Sequence, residues 1–221
     1  MFKRTVMLSM SLCVILSLGA CTSSKTNDST LSTVEKDTAT VSVIPGSEII
    51  PSEGDDVVVV DGSSILIAYF SWSGNTKQLA EEIQTQAGGE LFEIIPETPY
   101  TENINELSGI SLQEQRNDIR PPLSTQVDDM DQYDVVFIGF PNWWNNAPMP
   151  VFTFLEQYDF SDKTVIPFST YGEGGWGRSI SSIEEKVGSA IVAEGLAVRE
   201  SELSDAPTKV TEWLSQLGFA Q

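Results

Sequence analysis

The chain has 221 residues, of which 32 are acidic and 12 basic, giving a formal net charge of −20 at neutral pH, with two cysteines and no histidine. That length holds one well-cored domain with extensions, and the charge repels nucleic acid and anionic headgroups, so polynucleotide binding is excluded. Without histidine there are no imidazole metal sites, catalytic triads or imidazole proton relays; no metal partner is expected, and any chemistry has to come from a cofactor.

At the N-terminus Lys3 and Arg4 precede an apolar segment from about Thr5 to Leu18. It is too short to span a bilayer and fits the apolar region of a signal peptide. The following Leu18-Gly19-Ala20-Cys21 resembles a bacterial lipoprotein cleavage box. On that reading residues 1–20 are a signal peptide and Cys21 becomes the lipidated first residue. The protein is then anchored on the extracytoplasmic side of a membrane in the bacterial cell envelope. Several acyl chains on Cys21 give stable anchoring where one would be marginal. Loss of residues 1–20 removes Lys3 and Arg4 and no acid, taking the net charge to −22. Lys3-Arg4 is not a twin-arginine pair, which points to the ordinary secretory route, crossed unfolded. Cys13 leaves with the signal, so no disulfide, thiol redox centre or cysteine nucleophile remains.

From Thr22 to about Gly62 the chain is rich in Ser, Thr, Asp and Glu and lacks helical periodicity. Residues 21–62 read as a lipidated cysteine and a disordered tether, reaching roughly 35 Å as a flexible coil. Val57-Val58-Val59-Val60 with Asp61-Gly62 looks locally like one arm of a hairpin. The first strand of the parallel sheet already has a neighbour on each side, so the valines are expected instead to extend or pack against the sheet edge.

Strands and helices alternate through the domain at 63–221. The first strand is expected at Ile65–Phe70, followed by a helix from about Asn75 to Ala87 with Leu79, Ala80 and Ile83 on one face. The second strand is Glu90–Ile95. Thr101 to Arg120 is polar and weakly helical at best. The third strand is Asp134–Phe140, a helix follows Ala147-Pro148, and the fourth strand is Thr164–Phe168. A helix with Ile180, Ile183 and Val187 stops at Gly188, and a fifth strand falls within Ala190–Val198. The last helix begins near Ser204 to Pro207 and buries Val210, Trp213, Leu214 and Leu217. The alternation predicts an α/β fold with a doubly wound parallel sheet of five strands.

In such sheets ligands bind beyond the carboxyl ends of the strands, where the strand order switches. Three loops fall there. Ser71-Trp72-Ser73-Gly74-Asn75-Thr76 leads into a helix N-terminus, where unpaired N–H groups and the helix dipole suit an anion. It lacks the lysine ending of a nucleoside-triphosphate loop and the spaced glycines of a dinucleotide fingerprint. A single terminal phosphate held by neutral donors remains, although such a turn also serves as a plain helix cap. After the third strand comes Pro141-Asn142-Trp143-Trp144-Asn145-Asn146, and after the fourth Thr170-Tyr171-Gly172-Glu173-Gly174-Gly175-Trp176-Gly177. Two adjacent loop tryptophans suit stacking on a flat, mostly apolar ring edged with polar groups. The glycines let backbone groups approach that ring closely.

The first loop matches every defined position of the flavodoxin pattern Thr/Ser-x-Thr/Ser-Gly-x-Thr. The other two loops resemble those of small bacterial flavodoxins with Pro-x-Trp-Trp and Gly-Gly-x-Gly segments. The resemblance spans about Ser63 to Gln221 and implies a short-chain, flavodoxin-like fold with strand order 2-1-3-4-5. It implies noncovalent FMN, with phosphate on Ser71 to Thr76 and the ring and ribityl chain among Pro141 to Asn146, Thr170, Tyr171, Gly172, Gly174, Gly175, Trp176 and Gly177. An electron carrier is then expected, with a redox protein or a small electron acceptor as partner and the acidic surface favouring a basic one. The alternatives are an FMN-dependent NAD(P)H:quinone-type reductase and a flavin-binding lipoprotein without turnover. Lys77 and Glu173 read as surface residues.

Overall fold

The computed structural model describes residues 62–219. The signal segment, Cys21, the tether and Val57–Val60 lie outside the described residues. The first strand, β1 (Ile65–Tyr69), runs into α1 (Asn75–Ala87), β2 (Glu90–Glu93) and α2 (Ile104–Arg116). Then come β3 (Val135–Pro141), α3 (Met149–Leu155), β4 (Thr164–Tyr171), α4 (Ser179–Val187), β5 (Ile191–Val192), β6 (Leu196–Arg199) and α5 (Ala206–Gln216). All pairings are parallel, in the order β2-β1-β3-β4-β5, with β6 also pairing β4.

The apolar runs of β1 and β3 are buried on both faces, as a parallel sheet between helix layers requires. Side chains alternate between two cores with the strand period of two. Val136, Ile138 and Phe140 join Leu66, Ala68 and Phe70 in one, beneath Phe154 and Ile183. Val135 and Phe137 join Ile67, Tyr69, Ile166 and Phe168 in the other, beneath Leu79 and Ile83 of α1 and Val210, Trp213 and Leu214 of α5. At Gly139 a Cβ would drive into the Phe168 ring, so only glycine fits there.

Three expectations are corrected. The segment read as weakly helical contains a 13-residue helix, α2. Only Leu107 and Ser111 of α2 are buried, so its apolar stripe is nearly silent in sequence. It is held at its start instead: Asn103 accepts from the Asn105 and Glu106 amides at 3.0 and 3.5 Å, and Thr101 donates to the Glu106 carboxylate at 3.0 Å. The fourth strand runs on to Tyr171, so Thr170 and Tyr171 belong to a strand and not to a loop.

The fifth strand is broken in two. β5 pairs with Thr164 and Val165 and β6 with Phe168 to Tyr171, leaving Ile166 and Pro167 unmatched between them. Pro167 has no N–H to donate, so the ladder fails there. Gly195 passes so close to the Pro167 carbonyl that a Cβ would lie 2.6 Å from it. Trp213 Nε1 takes the Glu194 carbonyl at 2.9 Å in place of a sheet partner.

Glu156, at the C-terminal end of α3, ties three segments together. Arg120 and Lys186 reach its two oxygens at 2.7 and 2.8 Å, and Arg120 also lies over the Phe152 ring. The Arg120 hydrogen bond, against an opposing push from burial, holds the Glu156 carboxyl down at about 2. A depressed carboxylate stabilises the fold above its ordinary value of 4.5 and loses that contribution as pH falls towards 2. Glu156→Gln is therefore expected to cost about 1 kcal/mol at pH 7, the side chain being partly screened by solvent. The gap from the parent should close as the pH is lowered, checked by urea unfolding at pH 7, 4.5 and 3.

Candidate functional site

At the carboxyl end of β1 the chain turns through Ser71 to Gly74 into α1. Gly74 takes the cap position with φ 90° and, having no side chain, makes no cap bond of its own. A Cβ there would meet nothing within 4 Å, so the loop is open on that side. Ser71 Oγ accepts the Lys77 amide at 3.2 Å, and the Gly74 carbonyl accepts from Gln78 at 3.0 Å. The Asn75 and Thr76 amides find no partner among the described residues. With no acidic residue in the first turn, this helix end offers free donors and positive potential to an anion. Ser73 is exposed beside it.

Two residues of this loop have structural duties. Thr76 is 1 % exposed, and its hydroxyl pairs with that of Thr170 at 2.8 Å, locking the start of α1 to the end of β4. Trp72 is half-buried and donates to the Thr101 carbonyl at 3.0 Å. Lys77 is exposed, as expected of a surface residue.

Pro141 ends β3, and the Asn142 amide donates to the Thr170 carbonyl at 2.8 Å. The two tryptophans that follow separate sharply. Trp143 wedges inward, edge-on to Phe70 and Tyr100 at 5.3 and 5.4 Å. Trp144 is 46 % exposed, its indole donating to Ser111 of α2 at 3.2 Å. Trp143 and Asn146 exchange backbone hydrogen bonds across Trp144 and Asn145, which have φ of 54° and 59°. That is a type I′ turn with tryptophan where asparagine or glycine is preferred.

The glycine loop closes against this turn. Asn142 Nδ2 donates to the Gly175 carbonyl, and the Arg178 amide to the Asn145 carbonyl at 2.9 Å. Gly174 and Gly177, with φ of 87° and 55°, lie where any Cβ would strike Asn145. Trp176 is half-buried against Phe140 and Gly195, which places it as an anchor of the loop. Gly172 is exposed, and Glu173 pairs with Arg199 at 2.8 Å, the same arginine lying over the half-buried Tyr171 ring.

Residues 99–114 also reach the site, which the sequence reading missed. Tyr100 packs on Phe70 and Trp143 and donates to Glu114 at 2.6 Å. Burial, then the Glu114 bond, pushes the phenol far above its ordinary value, while burial raises the Glu114 carboxyl. Pro99-Tyr100 just beyond β2 was the available signal.

A helix N-terminus with two unpaired amides, an exposed indole, a tyrosine and a stitched pair of loops thus meet at one sheet edge. Asn142 Oδ1 is buried with no partner, an acceptor suited to a ligand N–H or O–H. Together with the strand order, these features define a doubly wound α/β protein with a mononucleotide-type site at its topological switch point.

The flavodoxin family model matches residues 64–217, and the chain belongs to that family. It is similar to a flavodoxin of Haemophilus influenzae, 28 % identical over 101 residues, or 44 % of each chain, so the match spans less than half of that relative. A structure assigned as a flavoprotein from Bacteroides eggerthii covers 72 % of this chain and 100 % of its own at 31 % identity and a TM-score of 0.62. A Lactobacillus acidophilus flavoprotein solved in complex with FMN covers 65 % of this chain and 98 % of its own at 29 % identity and a TM-score of 0.53.

A bulky residue held at positive φ costs about 1–3 kcal/mol. Trp144→Asn relieves that strain and loses one half-buried hydrogen bond, to Ser111. It is expected to raise stability by about 0.5–1 kcal/mol in urea unfolding of the ligand-free protein; a loss would show that the indole's contacts with α2 outweigh the strain.

Proposed function

We propose that the protein is an exported, lipid-anchored flavodoxin that carries electrons through noncovalently bound FMN. The observation that carries this reading is the open start of α1, with the Asn75 and Thr76 amides unpaired, locked to the end of β4 through Thr76 and Thr170. The Asn75 and Thr76 amides and the Ser73 hydroxyl hold the phosphate. Trp144 offers the exposed flat surface at the cleft, Tyr171 another, and Asn142 an unpaired acceptor. Thr76 and Thr170 contribute by fixing α1 against β4, and Trp143 and Trp176 by fixing the two loops from behind. The bound flavin supplies reversible acceptance of electrons; the protein sets how readily. A strongly acidic surface, of net charge −22 once residues 1–20 are lost, disfavours added negative charge in the cleft and favours a low potential. The same surface steers a basic redox protein towards the site.

Leu18-Gly19-Ala20-Cys21 supports anchoring in the bacterial cell envelope through Cys21, with FMN acquired outside the cytoplasm. Cys21→Ala is expected to move the protein from the membrane to the soluble fraction, read by fractionation and labelling with radioactive fatty acid. Membrane retention without label would remove the anchor from the proposal.

The cofactor assignment is checked by titrating the purified chain with FMN and with riboflavin. Ser73→Ala should weaken FMN about 10- to 100-fold, the range of a hydrogen bond to a charged group, and leave riboflavin nearly unchanged. Anaerobic addition of NAD(P)H to the loaded protein is expected to leave the flavin spectrum oxidised; rapid bleaching would make it a reductase.

A further inference from the structure

A cavity of about 380 Å³ lies between α2, α3 and α4. It shares Asn146 with the turn just described, and nothing with the phosphate loop. Its walls are unusual for so acidic a protein. Arg120, Arg178 and Lys186, three of the eight basic residues between 62 and 219, line it. Arg120 and Lys186 are committed to Glu156, and Arg120 also to Asp118. The Arg178 guanidinium meets no carboxylate, carbonyl or ring among the described residues, although its backbone is fixed by the bond to Asn145.

A second observation points the same way. Asn146 is only 5 % exposed and lines the cavity. Its Oδ1 is used by the Ala147 amide at 3.0 Å, while its Nδ2 donates to no protein group. That nitrogen is not sealed off from solvent, so it stands as an available donor on the cavity wall. Guanidinium and amide donors together match the two oxygens of a carboxylate. Beside them Met149 gives an apolar patch for an organic body, next to the Phe152 ring that Arg120 covers. Glu185 also lines the cavity without a basic partner and repels a second negative charge.

We infer that this cavity is a binding site, separate from the flavin cleft, for a small organic monocarboxylate with an apolar or aromatic body. The carboxylate sits on Arg178 and Asn146, and the body lies over Met149. The volume is that of a small-molecule site. Since the Arg178 and Gln115 contacts also hold the Asn145 and Trp143 carbonyls, the ligand rests against the back of the Trp144 turn.

The test is a titration of the full chain with sodium benzoate at constant ionic strength, followed by NMR of the Asn146 side-chain amide and the Arg178 guanidinium. The expected result is saturable shifts in the millimolar range, with none from benzamide, its neutral counterpart. Arg178→Gln should weaken binding at least tenfold, and Ser182→Phe, which places a ring in the cavity, should abolish it. Lys209→Gln, distant and paired with Glu202, should change nothing. Saturation with FMN should leave the benzoate affinity as it was. Shifts reproduced by benzamide, binding that survives both Arg178→Gln and Ser182→Phe, displacement by FMN, or no saturable shift would each overturn the inference. Because it is read on the chain with and without FMN, its failure is separable from failure of the flavin assignment.

Discussion

The arrangement follows from the burial of β1 and β3 on both faces. A strand covered by helices above and below has no wall on which to display polar chemistry, so loops, hydroxyls and free amides collect where the strands end. Parallel pairing then sends the ends of β1, β3 and β4 to one edge. The hydroxyl pair of Thr76 and Thr170 is the direct link between that scaffold and the site. It ties the first turn of α1 to the last residues of β4 inside the core, so the unpaired amides at the start of α1 are held by the sheet itself.

Much of this was legible in the sequence, and for identifiable reasons. Strongly apolar runs such as Ile65–Tyr69 and Val135–Phe140 leave no reading except buried strands, and α1 and α5 announce themselves through spaced apolar residues. The hydroxyl-rich loop carried its chemistry in its composition. What escaped was decided by single polar contacts. The second helix rests on an asparagine cap and a Thr101–Glu106 bond, with two buried side chains to mark it. The division of the fifth strand depends on a missing N–H in the neighbouring strand, visible only once the two are aligned. Trp143, Trp144 and Trp176 are alike as letters, yet one wedges into an aromatic cluster, one faces solvent and one anchors a loop.

The loops around the cleft show how rigidity and strain are distributed. Asn145 is gripped from three sides, by its own tight turn, by the Arg178 amide and by the glycines packed over it. That grip keeps Trp144 in a backbone conformation it would not choose. Strain of this kind persists only where the surroundings over-determine it, and it fixes the direction of the exposed indole more firmly than packing of the ring alone could.

The interruption beside Pro167 bears on how this molecule behaves among its own copies. An outer strand with a continuous row of free N–H and C=O groups is a template on which another chain can build. Here that border is cut into pieces of two and four residues, with a glutamate and a glycine in the gap. Neither piece is long enough to recruit a neighbouring strand securely. Protection of that border against sheet-to-sheet stacking thus comes from one proline in the adjoining strand.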